Sequence, residues 1–176
     1  ARGSKLLDVG FGRGDFLRAF ARRGVEVAGV DQSTAALEGC ADLSVSRCNA
    51  GAEPLPFADA SFDVVFHKSL LEHLGNPEPL MDETMRVLKA GGQLISLVPD
   101  WISQMAIYYD DHTHRRPYTT VGLRDLIVMT GFEDAQAELF YQLPAVWNRP
   151  ALRLFSRLLQ VFVRPEHRPK APFVRW

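Results

Sequence analysis

The sequence predicts an α/β protein, a single domain built on one doubly wound, mostly parallel sheet. Short apolar runs alternate with helical patterns from Lys5 onward, and that alternation builds a parallel sheet covered by helices. The first run ends in a glycine-rich corner at residues 10–14, a turn that lets a strand feed a helix while a ligand approaches the main chain. At 176 residues, 47% of them hydrophobic and 23% charged, the chain is long enough to bury a substantial core and has an ordinary globular composition.

The elements follow in order along the chain. Residues 5–10 (KLLDVG) form a short buried strand. Residues 15–23 form a helix with Phe16, Leu17 and Phe20 on one face, stopped by Gly24. The second strand spans residues 25–31 (VEVAGVD), and Ser33 or Thr34 caps a helix that runs to about Ala41. A third, short strand ends near Asn49, and a proline-containing loop covers residues 51–61. Residues 62–67 (FDVVFH) form the fourth strand. Asn76 then caps a helix with Pro77 in its first position; Leu80, Met81, Met85 and Leu88 form its apolar stripe, and Gly91-Gly92 ends it. Residues 93–99 form the fifth strand, and the aromatic- and histidine-rich stretch 101–118 has no assignable period. Thr119 or Thr120 caps a further helix, with Leu123, Leu126 and Ile127 inward and Gly131 at its end. Residues 132–141 read as a sixth strand and residues 151–163 fit a helix.

Net charge is −1, so nothing global argues for nucleic acid, and none is expected as a partner. The charge is uneven, because residues 147–176 carry seven basic side chains against Glu166 alone. Such a tail suits a solvated chain end or an anionic surface. Cys40 and Cys48 give no disulfide framework and no metal spacing, and they fit a reducing compartment. No apolar run approaches the roughly 20 residues of a membrane span and no signal peptide is visible, so a cytoplasmic location is expected. The chain starts at Ala1 rather than Met and reads as strand almost at once, so upstream sequence, with any targeting segment in it, is expected as well.

The corner reads Asp8-Val9-Gly10-Phe11-Gly12-Arg13-Gly14. Its spacing is GxGxG, not the GxGxxG that seats a dinucleotide's pyrophosphate on a helix N-terminus. Asp31 ends the second strand 17 residues after Gly14. A carboxylate there can accept hydrogen bonds from both hydroxyls of a ribose. It can also act as a helix cap, and the two roles are compatible. On adjacent parallel strands, Gly12 and Asp31 should lie side by side.

Together LLDVGFGRG (residues 6–14), VAGVDQS (27–33), NAGAEPLPFADASFDVVF (49–66) and RVLKAGGQLI (86–95) resemble the class I S-adenosylmethionine-dependent methyltransferases, in the large group acting on small molecules. The likeness runs through residues 5–99. The first two pieces also suit a nicotinamide-dependent oxidoreductase; LPFxDxSFDVV and RVLKxGG separate the two. The resemblance implies a Rossmann-like fold of seven strands, with a cofactor-binding half over residues 1–99. A substrate-side half with a basic C-terminal segment would occupy residues 100–176. The cofactor it implies is S-adenosylmethionine, with S-adenosylhomocysteine as product. Asp8 and the corner residues Gly10, Phe11, Gly12 and Gly14 would lie beside the methionine part of that cofactor. Asp31 would hold the ribose, with Gln32 near the adenine. Asn49-Ala50 stands where the family often has Asp-Ala at the adenine edge, and an Asn amide can accept from the adenine amino group and donate to a ring nitrogen. His67 would face the methyl-transfer region, because ligands collect at the carboxyl ends of strands in open sheets.

The implied reaction is methyl transfer to a small-molecule acceptor, a hydroxyl of a glycan, lipid-linked or secondary-metabolite substrate. The sulfonium is already an activated donor, so the protein's main task is to hold the acceptor atom in line with the methyl. A hydroxyl also needs a base that titrates near the working pH, which suits histidine. Phe11, Trp101 or Tyr108 can face the cationic sulfur, although apolar side chains more often pack. Residues 108–119 (YYDDHTHRRPYT) are similar to a DxTHxRPFT stretch in family members that work alongside glycan or lipid biosynthesis. On that likeness His112 or His114 is the base or acceptor-positioning group; the competing reading makes both structural. Ser69-Leu70-Leu71-Glu72-His73 stands where some family members carry ExxEH and bind a divalent metal. Ser69 replaces the first Glu, two ligands are left, and no metal is expected. The amphipathic, basic stretch 152–164 can pack on the sheet or on another subunit, or associate weakly with an anionic membrane surface; oligomeric state is left open. The rival readings are the oxidoreductase and a non-catalytic cofactor-binding module.

Overall fold

The computed structural model describes residues 3–140, and its five strands join in the order β3-β2-β1-β4-β5, every pairing parallel. β1 (Lys5–Val9) is central, between β2 (Glu26–Asp31) and β4 (Phe62–Lys68), while β3 (Val45–Arg47) and β5 (Leu88–Leu97) lie outside them. A central parallel strand is covered on both faces, which is why Leu6, Leu7, Asp8 and Val9 are all buried and show no apolar–polar alternation. The chain leaves β1 toward β2 and comes back after β3 to the other side of β1 as β4. That reversal opens a crevice at the carboxyl ends of β1 and β4.

Alternation along the strands divides the packing into two layers. Leu7, Val9, Val30 and Val65 meet α3 (Glu78–Val87) and α5 (Thr120–Met129), where Leu80, Met81, Val87 and Leu123 complete the main core. On the other face Phe11, Leu17 and Cys40 pack with Val27, Leu37 and Val45 beneath α1 (Asp15–Ala21) and α2 (Thr34–Gly39). Phe16 and Phe20 lie on Phe66 there, with ring centroids 5.4 and 5.5 Å apart. The doubly wound α/β architecture is as expected. So are two caps: Ser33 Oγ accepts from Ala36 N at 3.4 Å, and Thr119 Oγ1 accepts from Gly122 N at 3.1 Å.

Two expected boundaries are corrected. α3 stops at Val87 and β5 starts at Leu88, five residues before the expected strand at 93. Gly91-Gly92 therefore does not end a helix. The pair sits in an irregular stretch of strand, where Phe62 is opposite Leu88 but Val64 is already opposite Gln93, and Gly91 takes a φ of 74°. Glycine suits such a kink because it carries no Cβ. Met85 of the expected stripe is exposed, and Thr84 is buried instead. Residues 132–140 form no strand: Asp134 enters the left-handed region at φ 53°, which breaks the extended run, and no strand pairing includes them.

The stretch 101–118 holds a short helix, α4 (Trp101–Gln104), and a 3-10 turn at Tyr108–Asp110. The helix expected at 151–163 and the basic segment around it lie outside the described residues. Among the described residues, no helix is long and apolar enough to cross a membrane.

Candidate functional site

The corner after β1 is held by its own backbone. Gly10 N donates to Val30 O at 2.8 Å and Gly14 N to Phe11 O at 2.9 Å, with φ of 73° at Gly10, 54° at Gly12 and 74° at Gly14. A side chain at Gly14 would also run into Cys40 Sγ. The bend carries Gly12 N to Asp31 Oδ2, 2.9 Å away, so the expected neighbours do meet. Asp31 Oδ1 accepts from Ser33 N at 2.8 Å, fastening the start of α2 to the same carboxylate. Each carboxylate oxygen has two lone pairs, so one on each remains for a ligand. A cleft beside this bond is lined by Gly12, Arg13, Ser33, Ala35, Ala36 and Gly39.

The other residues expected at the cofactor are spread along the carboxyl ends of the strands. Asp8 is buried beside the corner. Burial pushes its carboxyl up to about 7, Asp31 adds to the push, and Lys68 works against it. Phe11 keeps its backbone in the corner, but its ring packs with Leu17 and Cys40 in the α1–α2 layer. Gln32 and Asn49 are exposed and Ala50 is half-buried; Asn49 Oδ1 accepts from Gly51 N at 3.3 Å, and Asn49 N donates to Glu53 Oε2 at 2.9 Å. His67 sits between Val9 and Ser96 in the sheet register. It is fully buried, neither ring nitrogen has a hydrogen-bond partner, and burial pushes the imidazole down to about 4. A neutral, unpartnered ring in that position is unusual for an interior, where buried polar groups are normally paired.

A second polar group lies beyond the end of β4. Ser69 takes a φ of 53° while its N–H bonds Leu97 O at 2.9 Å, and the chain passes into a 3-10 turn over Leu71–His73. The 101–118 loop is clipped onto that turn. Arg115 N and Arg116 N donate to Glu72 O at 2.7 and 3.1 Å, and the Tyr108 hydroxyl donates to Arg116 O at 2.6 Å. Trp101 packs edge-on against Tyr108, centroids 5.2 Å apart. His114 and Thr113 are thereby brought to His73, whose ring is 5.0 Å from that of His114.

The hydrogen bonds fix both tautomers. His114 Nδ1 lies 2.7 Å from Tyr108 O; a carbonyl only accepts, so Nδ1 carries the proton and Nε2 keeps a lone pair. Thr113 gives its hydroxyl proton to Asp111 Oδ1 and lies 2.9 Å from His73 Nδ1. It must accept there, so His73 Nε2 also keeps a lone pair. Burial and the neighbouring His114 hold the His73 imidazole below its ordinary range. Thr113 holds the Asp111 carboxyl below its own. Glu72 is fully buried and neither carboxylate oxygen accepts a hydrogen bond; burial pushes its carboxyl up to about 7.

Of the two expected catalytic histidines, His114 is inside this group and His112 is exposed outside it. Tyr108, a candidate from sequence for facing the cofactor's sulfur, instead packs against the His114 ring, centroids 4.5 Å apart. Sequence reading missed the orienting roles of Asp111, Thr113 and Tyr108; alternating Asp-x-Thr-His was the available signal. The expectation of no metal rested on two ligands, Glu72 and His73. Folding adds a third, since Glu72, His73 and His114 each offer a ligand atom within 4.8 Å of the others.

A family model described as a methyltransferase domain matches residues 7–96. An uncharacterized methyltransferase of Mycobacterium sp. strain KMS is 33% identical over 114 residues, covering 64% of this chain and 45% of that protein. The chain thus spans about half the length of the curated relatives it matches. Among solved structures, an S-adenosylmethionine-dependent methyltransferase from Mesorhizobium loti superposes with a TM-score of 0.70 at 19% identity, over 86% of this chain and 84% of that one. Phosphoethanolamine N-methyltransferase 2 of Haemonchus contortus, solved with S-adenosyl-L-methionine, gives 0.65 at 23% identity, over 90% and 39%. At these identities the structures speak for a shared fold.

Proposed function

We propose, from the premise that this chain belongs to the class I S-adenosylmethionine-dependent methyltransferases, that it moves a methyl group from S-adenosylmethionine to a hydroxyl of a small-molecule acceptor. The observation that carries the reading is the 2.9 Å bond from Gly12 N to Asp31 Oδ2, which unites a glycine-rich corner and a carboxylate in one grip. The residues suit the cofactor. Gly10, Gly12 and Gly14 hold the positive-φ bend that lets a ligand approach the main chain closely, Asp31 can accept from ribose hydroxyls, and Asp8 offers a buried carboxyl for the cationic methionine end. When bound, S-adenosylmethionine supplies an activated methyl and leaves as S-adenosylhomocysteine.

On the acceptor side, His114 Nε2 is the group that takes the hydroxyl proton. Its lone pair is fixed by the Tyr108 carbonyl 2.7 Å from Nδ1, and a neutral imidazole is a competent base near neutral pH. His73, oriented through Thr113 and Asp111, positions the acceptor beside it. His67 stays neutral and can donate or accept one hydrogen bond at the strand end. The 101–118 loop, clipped over the 3-10 turn, holds the His114 side chain at 12% exposure. Calorimetric titration of the full chain with S-adenosylmethionine and with a nicotinamide cofactor tests the cofactor half. Binding of the first and not the second is expected; the reverse would sink it. Cofactor binding with no methyl transfer to any offered alcohol would favour a non-catalytic module.

A further inference from the structure

We propose that Glu72, His73 and His114 form a binding site for one divalent transition cation of the zinc type. Two segments about forty residues apart in the sequence supply the three ligand atoms, which lie within 4.8 Å of one another. His73 Nε2 is 3.9 Å from Glu72 Oε1, near the roughly 3.4 Å that two ligands about 2.1 Å from a tetrahedral ion would make. Side-chain movements that shorten the widest separation by at most about 1.4 Å close the set.

The outer groups are already those a metal site needs. A ligating histidine is oriented by what its other nitrogen holds. Here the Tyr108 carbonyl takes Nδ1–H of His114, and the Thr113–Asp111 pair takes Nδ1–H of His73. Both Nε2 atoms are therefore left as lone-pair donors. Glu72 gives the independent observation: its side chain is fully buried with two oxygens that accept no hydrogen bond. A carboxylate enclosed in that way is costly unless it is protonated or meets a cation; the Lys68 charge acts on it already, and a metal ion would meet it directly. Two imidazoles and one carboxylate favour zinc, iron or cobalt over magnesium or calcium, which select oxygen. Three protein ligands leave a further position open, and the His73 side chain, 29% exposed, provides the way in.

Cation binding stands apart from the proposed reaction, and only the cation's task rests on that reading: held by the His114 Nε2 lone pair, it would lower the pKa of the acceptor hydroxyl, whose proton would then pass to solvent instead of to His114. The test is calorimetry of the chelator-treated full chain with zinc chloride alone, without cofactor or acceptor. One zinc per chain is expected, at micromolar affinity or tighter. His73→Ala and His114→Ala should each weaken it at least about a hundredfold, and Asp111→Asn about 10- to 100-fold, with circular dichroism confirming folded samples. His112→Ala should change nothing. Cobalt(II) should give the intense visible bands of a four- or five-coordinate ion on the unsubstituted chain. An absence of heat, a spectrum of six-coordinate cobalt only, or zinc binding that survives both His→Ala changes would overturn the site. Zinc uptake without methyl transfer leaves the site and removes the proposed reaction; methyl transfer by a chain that takes up no zinc does the reverse.

Discussion

The two ends of the crevice are built on opposite principles. At the glycine corner the backbone does the positioning, and its polar groups are paired: Gly12 N and Ser33 N both rest on Asp31. At the 3-10 turn, main-chain bonds bring the loop in, and the key acceptors are unpaired side-chain groups: two imidazole lone pairs and a buried carboxylate face one another. A paired, backbone-built end needs little from a ligand to be stable and can bind one member of a chemical class repeatedly. An end whose acceptors are unpaired is incomplete until something occupies it. On the proposed function, the contrast matches the generic task, holding the donor, to the corner, and the specific task, meeting the acceptor, to the loop.

The contrast breaks most severely at Asp31. Asp31→Ala removes a charged acceptor from two backbone donors and from the ribose, each such bond worth about 1.5–3 kcal/mol; cofactor affinity should fall about a thousandfold by calorimetry, and the chain should also lose stability in urea. His114→Ala should leave that affinity unchanged while turnover drops about 10²- to 10⁴-fold; a change in cofactor binding instead would mean that the two ends are not separable. Gly14→Ala, with φ of 74° and Cys40 Sγ in its way, should cost about 1–3 kcal/mol of unfolding free energy, read from the urea midpoint.

The smallest effect concerns pH. With the Asp8 carboxyl near 7, the group is mostly neutral at pH 6 and mostly anionic at pH 8. A cationic ligand prefers the anion, so binding releases a proton below pH 7, and affinity for S-adenosylmethionine should rise with pH by at most about tenfold per unit. Asp8→Asn should flatten that slope. A slope of the opposite sign would remove Asp8 from the methionine end.

The corner was legible because backbone conformation writes itself into residue type. Positive φ at Gly10, Gly12 and Gly14 demands glycine, and a strand-ending Asp at 31 needs only local pattern to be found. The sheet was legible for the same reason, through its uninterrupted apolar runs. The acceptor end was half legible. Ser69-Leu70-Leu71-Glu72-His73 and the Asp111–His114 run each stood out, but nothing in either says that a loop will fold back to put His114 beside His73. That contact depends on Arg115 and Arg116 amides reaching the Glu72 carbonyl, main-chain bonds that leave no trace in residue type. The glycine pair at 91–92 misled for the converse reason: a residue tolerated at helix ends and in strand kinks alike does not say which it will be.

Because a single carboxylate fastens both the corner and the first turn of α2, occupancy and rigidity are linked. Any molecule that engages Asp31 also quiets the amides of Gly12 and Ser33. Their hydrogen exchange with deuterated solvent should slow before that of any core strand responds. The melting temperature should climb with ligand concentration, by the equivalent of about 2.7 kcal/mol at a hundredfold excess over Kd. A fragment screen by thermal shift would thus be reading one hinge.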